Sequence, residues 1–151
     1  MQLTRAADYA VRVMIHLAGL PPGTRASRSQ LAEAAECPEQ FLSKVLQTLA
    51  RAGLMVSHRG NTGGFELPEK QRSATLLQVI ESVEGPIRLN ACLDKDQTCS
   101  QRDWCPGNVV WAEAQRAMME VLRSASLQDL ARRAATVRSF DQVAVEEPKW
   151  N

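Results

Sequence analysis

No stretch of this 151-residue chain approaches the ~20 consecutive apolar residues that a membrane span requires. The opening MQLTRAADYAVRVM is interrupted by Arg5, Asp8 and Arg12, so it does not read as a secretory signal. A cytoplasmic location is therefore expected, and there thiols stay reduced. That disfavours structural disulfides for the four cysteines. A strong charge of either sign is missing as well. The formal net charge is +1 and the basic excess in residues 1–70 is slight. Any nucleic-acid contact must then come from local placement and dimerisation, not from a global field. The chain has no C-x-x-C pair, no βαβ pattern and no cluster of acid–base residues, which argues against an enzyme. What remains, 44% hydrophobic and 23% charged, is ordinary for a globular protein with a real core.

Three of the cysteines, Cys92, Cys99 and Cys105, share one polar segment, NACLDKDQTCSQRDWCPGN. Free cysteine is normally buried and scattered. Here the neighbours are Asp, Lys, Gln, Arg and Ser, which offer no apolar face to join. Thiols grouped this way hold a metal or an iron–sulfur cluster, or form a redox switch. Cys37 is different, because it stands where a small apolar residue packs, and a core role is expected.

The chain otherwise reads as mainly α with a small β-wing. Apolar residues at Tyr9, Ala10, Val13, Met14 and Leu17 have helical spacing from Thr4 to Leu20. Ser27 with Gln30 forms a capping box for a second helix, which stops near Glu36-Cys37-Pro38. A third helix runs from Pro38 past Leu49 to Gly53, with Phe41, Leu42, Val45 and Leu46 expected in the core. Two short helices joined by a tight turn make a helix-turn-helix. Leu54 to His58 and Phe65 to Leu67 read as strands around Gly60-Asn61-Thr62-Gly63-Gly64, a glycine-rich wing whose backbone can approach a phosphate chain. Thr75 with Gln78 opens a further helix, closed by Gly85 and Pro86. After Pro106 a long helix carries the stripe Val110, Ala114, Ala117, Met118, Val121 and Leu122. Core packing and a dimer contact are both open for that stripe, and the two-fold sites of helix-turn-helix proteins favour the dimer. Ser126 with Asp129 opens a last short helix, and the pattern fades from Ala135. The expected organisation is a winged helix-turn-helix at 1–85, a cysteine-bearing cluster loop at 86–106, a dimerisation helix and short final helix at 107–134, and a tail at 135–151.

These pieces resemble the Rrf-two family of bacterial winged-helix regulators. The matching segments are MQLTRAADYAVR, FLSKVLQTLARAGLM, the wing RGNTGGFEL and the three cysteines. The likeness spans most of residues 1–133 and is nearest the NsrR and RirA types. It implies a homodimer, binding to a double-stranded DNA operator, and an iron–sulfur cluster (4Fe-4S or 2Fe-2S) whose state controls that binding. The spacing C-x6-C-x5-C matches the family in its second gap and is one residue longer than IscR in its first. A cluster generally needs a fourth ligand. IscR-like members use a histidine at the position of Asn108, so that route is closed. NsrR-like members use a carboxylate from the first helix of the other subunit, which implies Asp8 of the partner subunit here. The implied function is a repressor that senses nitric oxide or redox state. The alternatives are an iron-responsive regulator of the RirA type and a zinc-stapled DNA-binding module without sensing.

Within the third helix, Gln40 and Ser43 lie near the N-terminus, where side chains reach base edges, and Lys44 suits a phosphate. Arg59 at the start of the wing suits the minor groove or backbone, with Gly60 beside it. Trp104 next to Cys105 is placed to shield a cluster from water.

Overall fold

The computed structural model describes residues 3–60, 62–94 and 99–139. Asn61 of the wing turn, residues 95–98 of the cysteine segment and residues 140–151 of the expected tail lie outside the described residues. The order of elements is α1 (Arg5–Gly19), β1 (Arg25–Ala26), α2 (Arg28–Ala35), α3 (Glu39–Arg51), β2 (Val56–His58), β3 (Gly64–Glu66), α4 (Leu76–Glu84), α5 (Pro106–Ser124) and α6 (Leu127–Ser139). The architecture is mainly helical with a small antiparallel sheet.

Local chemistry sets most of the helix starts. Thr4 caps α1 by accepting from the Ala7 N–H at 3.4 Å. Ser27 and Gln30 satisfy each other's backbone N–H at the start of α2, and Thr75 and Gln78 do the same for α4. Ser126 accepts from the Asp129 N–H at 3.1 Å at the start of α6. These caps fix where helices begin; packing fixes which face turns inward.

The main core gathers Val13, Met14 and Leu17 of α1, Leu31 of α2, and Leu42, Val45, Leu46 and Leu49 of α3. Each fully buried aliphatic side chain contributes roughly 1.5–3 kcal/mol. Phe41 does not join them, contrary to the sequence expectation. It is 47% exposed, because Leu42, Val45, Leu46 and Leu49 already define the inward face and residue 41 falls at its edge. Its ring meets Tyr9 edge-on, with centroids 5.6 Å apart.

The sheet has strand order β1-β3-β2, with Ala26 opposite Phe65 and Ser57 opposite Phe65 on the other side. The strand β1 was not expected from the sequence; two residues before a helix cap give no alternation to read. The wing requires two glycines. A Cβ at Gly63 would stand 2.5 Å from the His58 carbonyl oxygen, and one at Gly64, where φ is +148°, would stand 2.8 Å from that of Ala26. Gly64 is what lets β1 pair closely with β3.

The final helix differs from expectation in both length and role. It runs to Ser139, past Ala135 where the sequence pattern fades. It also belongs to the main core, with Leu127 fully buried and Ala131 nearly so, and it lies along α1. Its start is tied to the α4 start: the Leu127 N–H donates to Ala74 O (2.9 Å) and the Leu76 N–H to Ala125 O (2.8 Å). By contrast, α5 buries no residue at all, and only Met118, Met119 and Leu122 lean on the small cluster of Ala7, Leu77, Ile80 and Ile87.

One buried cation holds α1 in place. Arg72 is 8% exposed and donates to Ala18 O (2.8 Å) and Leu20 O (2.7 Å), satisfying carbonyls at the end of α1. Its Nε lies 3.1 Å from Glu69 Oε2, near enough for charge pairing though not aligned as a hydrogen bond.

Candidate functional site

The polar face of α3 and the wing frame one open cleft of about 350 Å³. Ser43, Gln47, Ala50 and Arg51 line it from α3, Ser57 and Phe65 from the sheet, and Arg28 from α2. Gln40 and Lys44 are exposed beside it, and Ser43 is half-buried. Ser43 Oγ donates to Glu39 O (3.1 Å) and accepts from Arg28 NH1 (3.4 Å). Arg59 and Gly60 are exposed at the end of β2, where Gly60 O accepts from the Gly63 N–H at 2.9 Å to close the turn. Behind the wing, Glu66 Oε2 lies 2.9 Å from His58 Nε2 and 3.6 Å from Arg25 Nε. The Arg25 guanidinium also donates to Thr62 O at 3.3 Å, which holds the wing tip to β1. The sequence reading missed Arg25, Arg28 and Arg51. Each lies on a different element, and nothing local marks any of them.

The cysteine segment is anchored at both ends. Asn90 Oδ1 accepts from the Ala91 N–H at 2.8 Å, opening a 3-10 turn over Ala91–Leu93 that packs against α5 and leaves Cys92 half-buried. The Leu89 N–H donates to Gln115 Oε1 at 3.0 Å, a second tie to α5. Cys99 is exposed, and its carbonyl accepts from the Arg102 N–H at 3.2 Å. Cys105 is the N-cap of α5, with Pro106 as the first helical residue. Its thiol makes no capping bond, so it remains available at the positive end of the helix. Trp104, Val109, Val110 and Trp111 are exposed alongside.

Asp8 stands in the first turn of α1 with its side chain half exposed, paired to Arg12 at 3.0 Å. Arg12 also reaches Glu36 Oε2 (3.3 Å) and Ala35 O (3.4 Å) at the end of α2. Among the described residues, no three His, Cys, Asp or Glu side chains of one protomer converge on a metal-sized site. Cys37 is buried and its thiol donates to Pro38 O at 3.5 Å; burial pushes the thiol pKa up. It is a core residue, as expected.

The donor chemistry fits an iron–sulfur group. Three thiols are the ligand type such clusters take. Asn108 Nδ2 is buried at the α5 N-terminus without a hydrogen-bond partner, an amide donor left for an acceptor beside Cys105.

Residues 3–133 match the family model described as Rrf2, iron-dependent transcriptional regulator. The chain belongs to the Rrf2 family. It is accordingly a transcriptional regulator with a DNA-binding winged helix, not an enzyme. Among its relatives, the protein aau3 of Rhizobium meliloti (strain 1021) is 33% identical over 150 residues, covering 98% of this chain and 95% of that one. The regulator NsrR of Bacillus subtilis (strain 168) is 30% identical over 133 residues, covering 87% and 91%. The solved structure of CymR, the global cysteine regulator of B. subtilis, superposes with a TM-score of 0.71 at 28% identity, covering 88% of this chain and 98% of CymR. No helix among the described residues is long and apolar enough to cross a membrane.

Proposed function

We propose that this chain acts as a homodimeric, cytoplasmic repressor whose operator binding is controlled by an iron–sulfur cluster, 4Fe-4S or 2Fe-2S, that reports nitric oxide or redox state. The observation that carries this reading is the position of the thiols. Cys105 is the N-cap residue of α5, and the turn bearing Cys92 packs on α5, a long helix with no buried residue. A second copy covering Val109, Val110, Trp111 and Val121 would remove apolar surface from water beside the cysteines. The three thiols come from one protomer and the fourth ligand from the other, so the site closes between subunits.

In this reading Cys92, Cys99 and Cys105 bind the group, with Asp8 of the partner subunit as an oxygen ligand and the Asn108 amide donating toward a sulfur. The cluster, when bound, supplies iron that nitric oxide or oxidants attack. The protein's part is geometric. Four ligands drawn from both subunits hold α5 and α1 in one arrangement, and that sets the distance between the two α3 helices. Two helices displaced by a few ångströms cannot both enter successive major grooves. On the DNA, Gln40 and Ser43 reach base edges, Lys44 a phosphate, and Arg59 with Gly60 the backbone or minor groove.

Anaerobic iron and sulfide analysis with visible and Mössbauer spectra, before and after nitric oxide, tests this. Brown protein that loses its spectrum with nitric oxide is expected. Cys92→Ala, Cys99→Ala and Cys105→Ala should each lose iron, and Cys37→Ala should keep it. Full iron in Cys99→Ala sinks the ligand set, and colourless zinc protein sinks the sensor. A second reading, an iron-responsive regulator of the RirA type, is favoured by the family description as iron-dependent. Operator release on iron chelation, with indifference to nitric oxide, would select it. On the DNA side, Arg59→Ala should flatten the slope of log affinity against log salt by about 0.9 if one phosphate contact is lost.

A further inference from the structure

We propose that Arg28 is a base-reading residue of the DNA face, with guanine as its target and Glu39 and Ser43 as its positioning residues. This rests on the DNA-binding reading and adds to it a residue outside the recognition helix.

Arg28 is the first residue of α2, yet both its partners are on α3. Its Nε donates to Glu39 Oε2 at 3.2 Å, and its NH1 donates to Ser43 Oγ at 3.4 Å. Glu39 and Ser43 are four residues apart and share one helix face, with Glu39 in the first turn. The guanidinium therefore lies over the N-terminal turn of α3, the part of a recognition helix that meets base edges. It also lines the cleft that continues through Gln47 and Arg51 to the wing. The side chain is 55% exposed.

The carboxylate decides between two roles for such an arginine. A phosphate clamp gains nothing from a half-exposed glutamate 3.2 Å away, because the glutamate repels the same phosphate. A base reader gains twice. Glu39 and Ser43 hold the fork in one orientation, so less rotamer freedom is lost on binding. Guanine O6 and N7 accept paired donors from an arginine fork, and the N4 amino group of a cytosine is a donor Glu39 can accept. The three side chains together thus match a G·C pair in the major groove.

The test is selection from a randomised DNA duplex pool with the full-length dimer, followed by competition titrations at several salt concentrations. Wild type, Arg28→Lys, Arg28→Ala and Glu39→Gln are compared. Wild type should enrich a motif with a fixed guanine in each half-site. Arg28→Lys keeps the charge and loses the fork. It should bind mixed-sequence DNA with an unchanged salt slope and lose the guanine preference by about 5- to 150-fold. Glu39→Gln should loosen preference at the same base pair. If Arg28→Lys still enriches the wild-type motif, the proposal fails and the DNA-binding reading stands. If Arg28→Ala weakens all sequences equally and lowers the slope by about 0.9, Arg28 is a phosphate contact and the proposal also fails. If wild type enriches no sequence, the DNA-binding reading falls first and this inference with it.

Discussion

The helix-turn-helix with its wing and the cysteine-bearing arm make opposite use of the same kind of sequence. In the first, α1, α2, α3 and α6 turn their apolar residues onto one another, and Met14, Leu31, Leu42, Leu46, Leu49 and Leu127 are all fully buried or nearly so. In the second, α5 is as long as any helix in the chain and buries none of its residues, while Val109, Val110, Trp111 and Val121 face water. One region is finished within a single chain. The other leaves apolar side chains uncovered in the single chain, where a second subunit is proposed to cover them. The proposed sensor would use that division: a rigid reader, and an arm whose packing depends on state.

Truncation should affect the two regions very differently. Leu46→Ala removes a fully buried side chain and should cost about 2–5 kcal/mol in denaturant unfolding. Val121→Ala, at 67% exposure, should change the stability of an isolated protomer by less than about 0.5 kcal/mol. Its effect should show instead in how the unfolding midpoint depends on protein concentration. Equal losses at both positions, independent of concentration, would mean that α5 packs within its own chain.

A charge on the open face sharpens the contrast further. Val110→Asp is 64% exposed in one protomer and should leave its circular dichroism unchanged. In a dimer built on α5 the same carboxylate is buried without a partner. Sedimentation should then show at least a ten-fold weaker dimer, about 1.4 kcal/mol. A variant that stays dimeric moves the interface away from this face.

How much of this could be read from the residues depended on distance along the chain. The capping pairs Ser27–Gln30 and Thr75–Gln78 were legible because each closes within three residues. The wing was legible because Gly63 and Gly64 obey local backbone sterics. The strand β1 was not, since its partner Phe65 lies far down the chain. Phe41 differs from its sequence expectation because an apolar side chain need not face inward, and only the packed phase of α3 settles which positions do. The role of α6 was missed for a similar reason: Leu127 looks like any leucine at a helix start, and its burial depends on α1. In the candidate site, the grouping of Cys92, Cys99 and Cys105 in one segment is plain in the sequence, whereas whether they meet depends on three dimensions, and among the described residues of one protomer no three metal-ligand side chains converge. Arg28 carried no mark at all, because its meaning comes from Ser43, fifteen residues away.

Asp8 connects the two regions, since it stands on the finished one and is proposed to complete the other. Asp8→Ala removes a half-exposed ion pair with Arg12, worth at most about 1 kcal/mol, so the fold should survive. The three thiols should still gather some cluster, with a changed visible spectrum and a shorter lifetime in air. Asp8→Cys should lengthen that lifetime and blunt the nitric oxide response, because thiolate binds iron more firmly than carboxylate. An Asp8→Ala protein identical to wild type in spectrum, lifetime and response would place the fourth ligand elsewhere and favour the iron-responsive reading.

The smallest effect separates the two kinds of cysteine. Burial raises the Cys37 thiol above its ordinary value of 9.0, because the folded core disfavours the thiolate. Above the ordinary value the unfolded chain releases this proton while the folded chain keeps it, so unfolding is favoured as pH rises. The contribution is therefore complete below that value and is lost as pH climbs through the raised one. Stability against pH, measured for wild type and for Cys37→Ala, should show a steeper alkaline decline in wild type, whatever the offset left by the lost packing. Alkylation at neutral pH should follow the same division, with Cys99 reacting first and Cys37 last. Rapid labelling of Cys37 in the folded protein would mean that the turn before α3 opens readily, and the reader would no longer be the rigid half of the molecule.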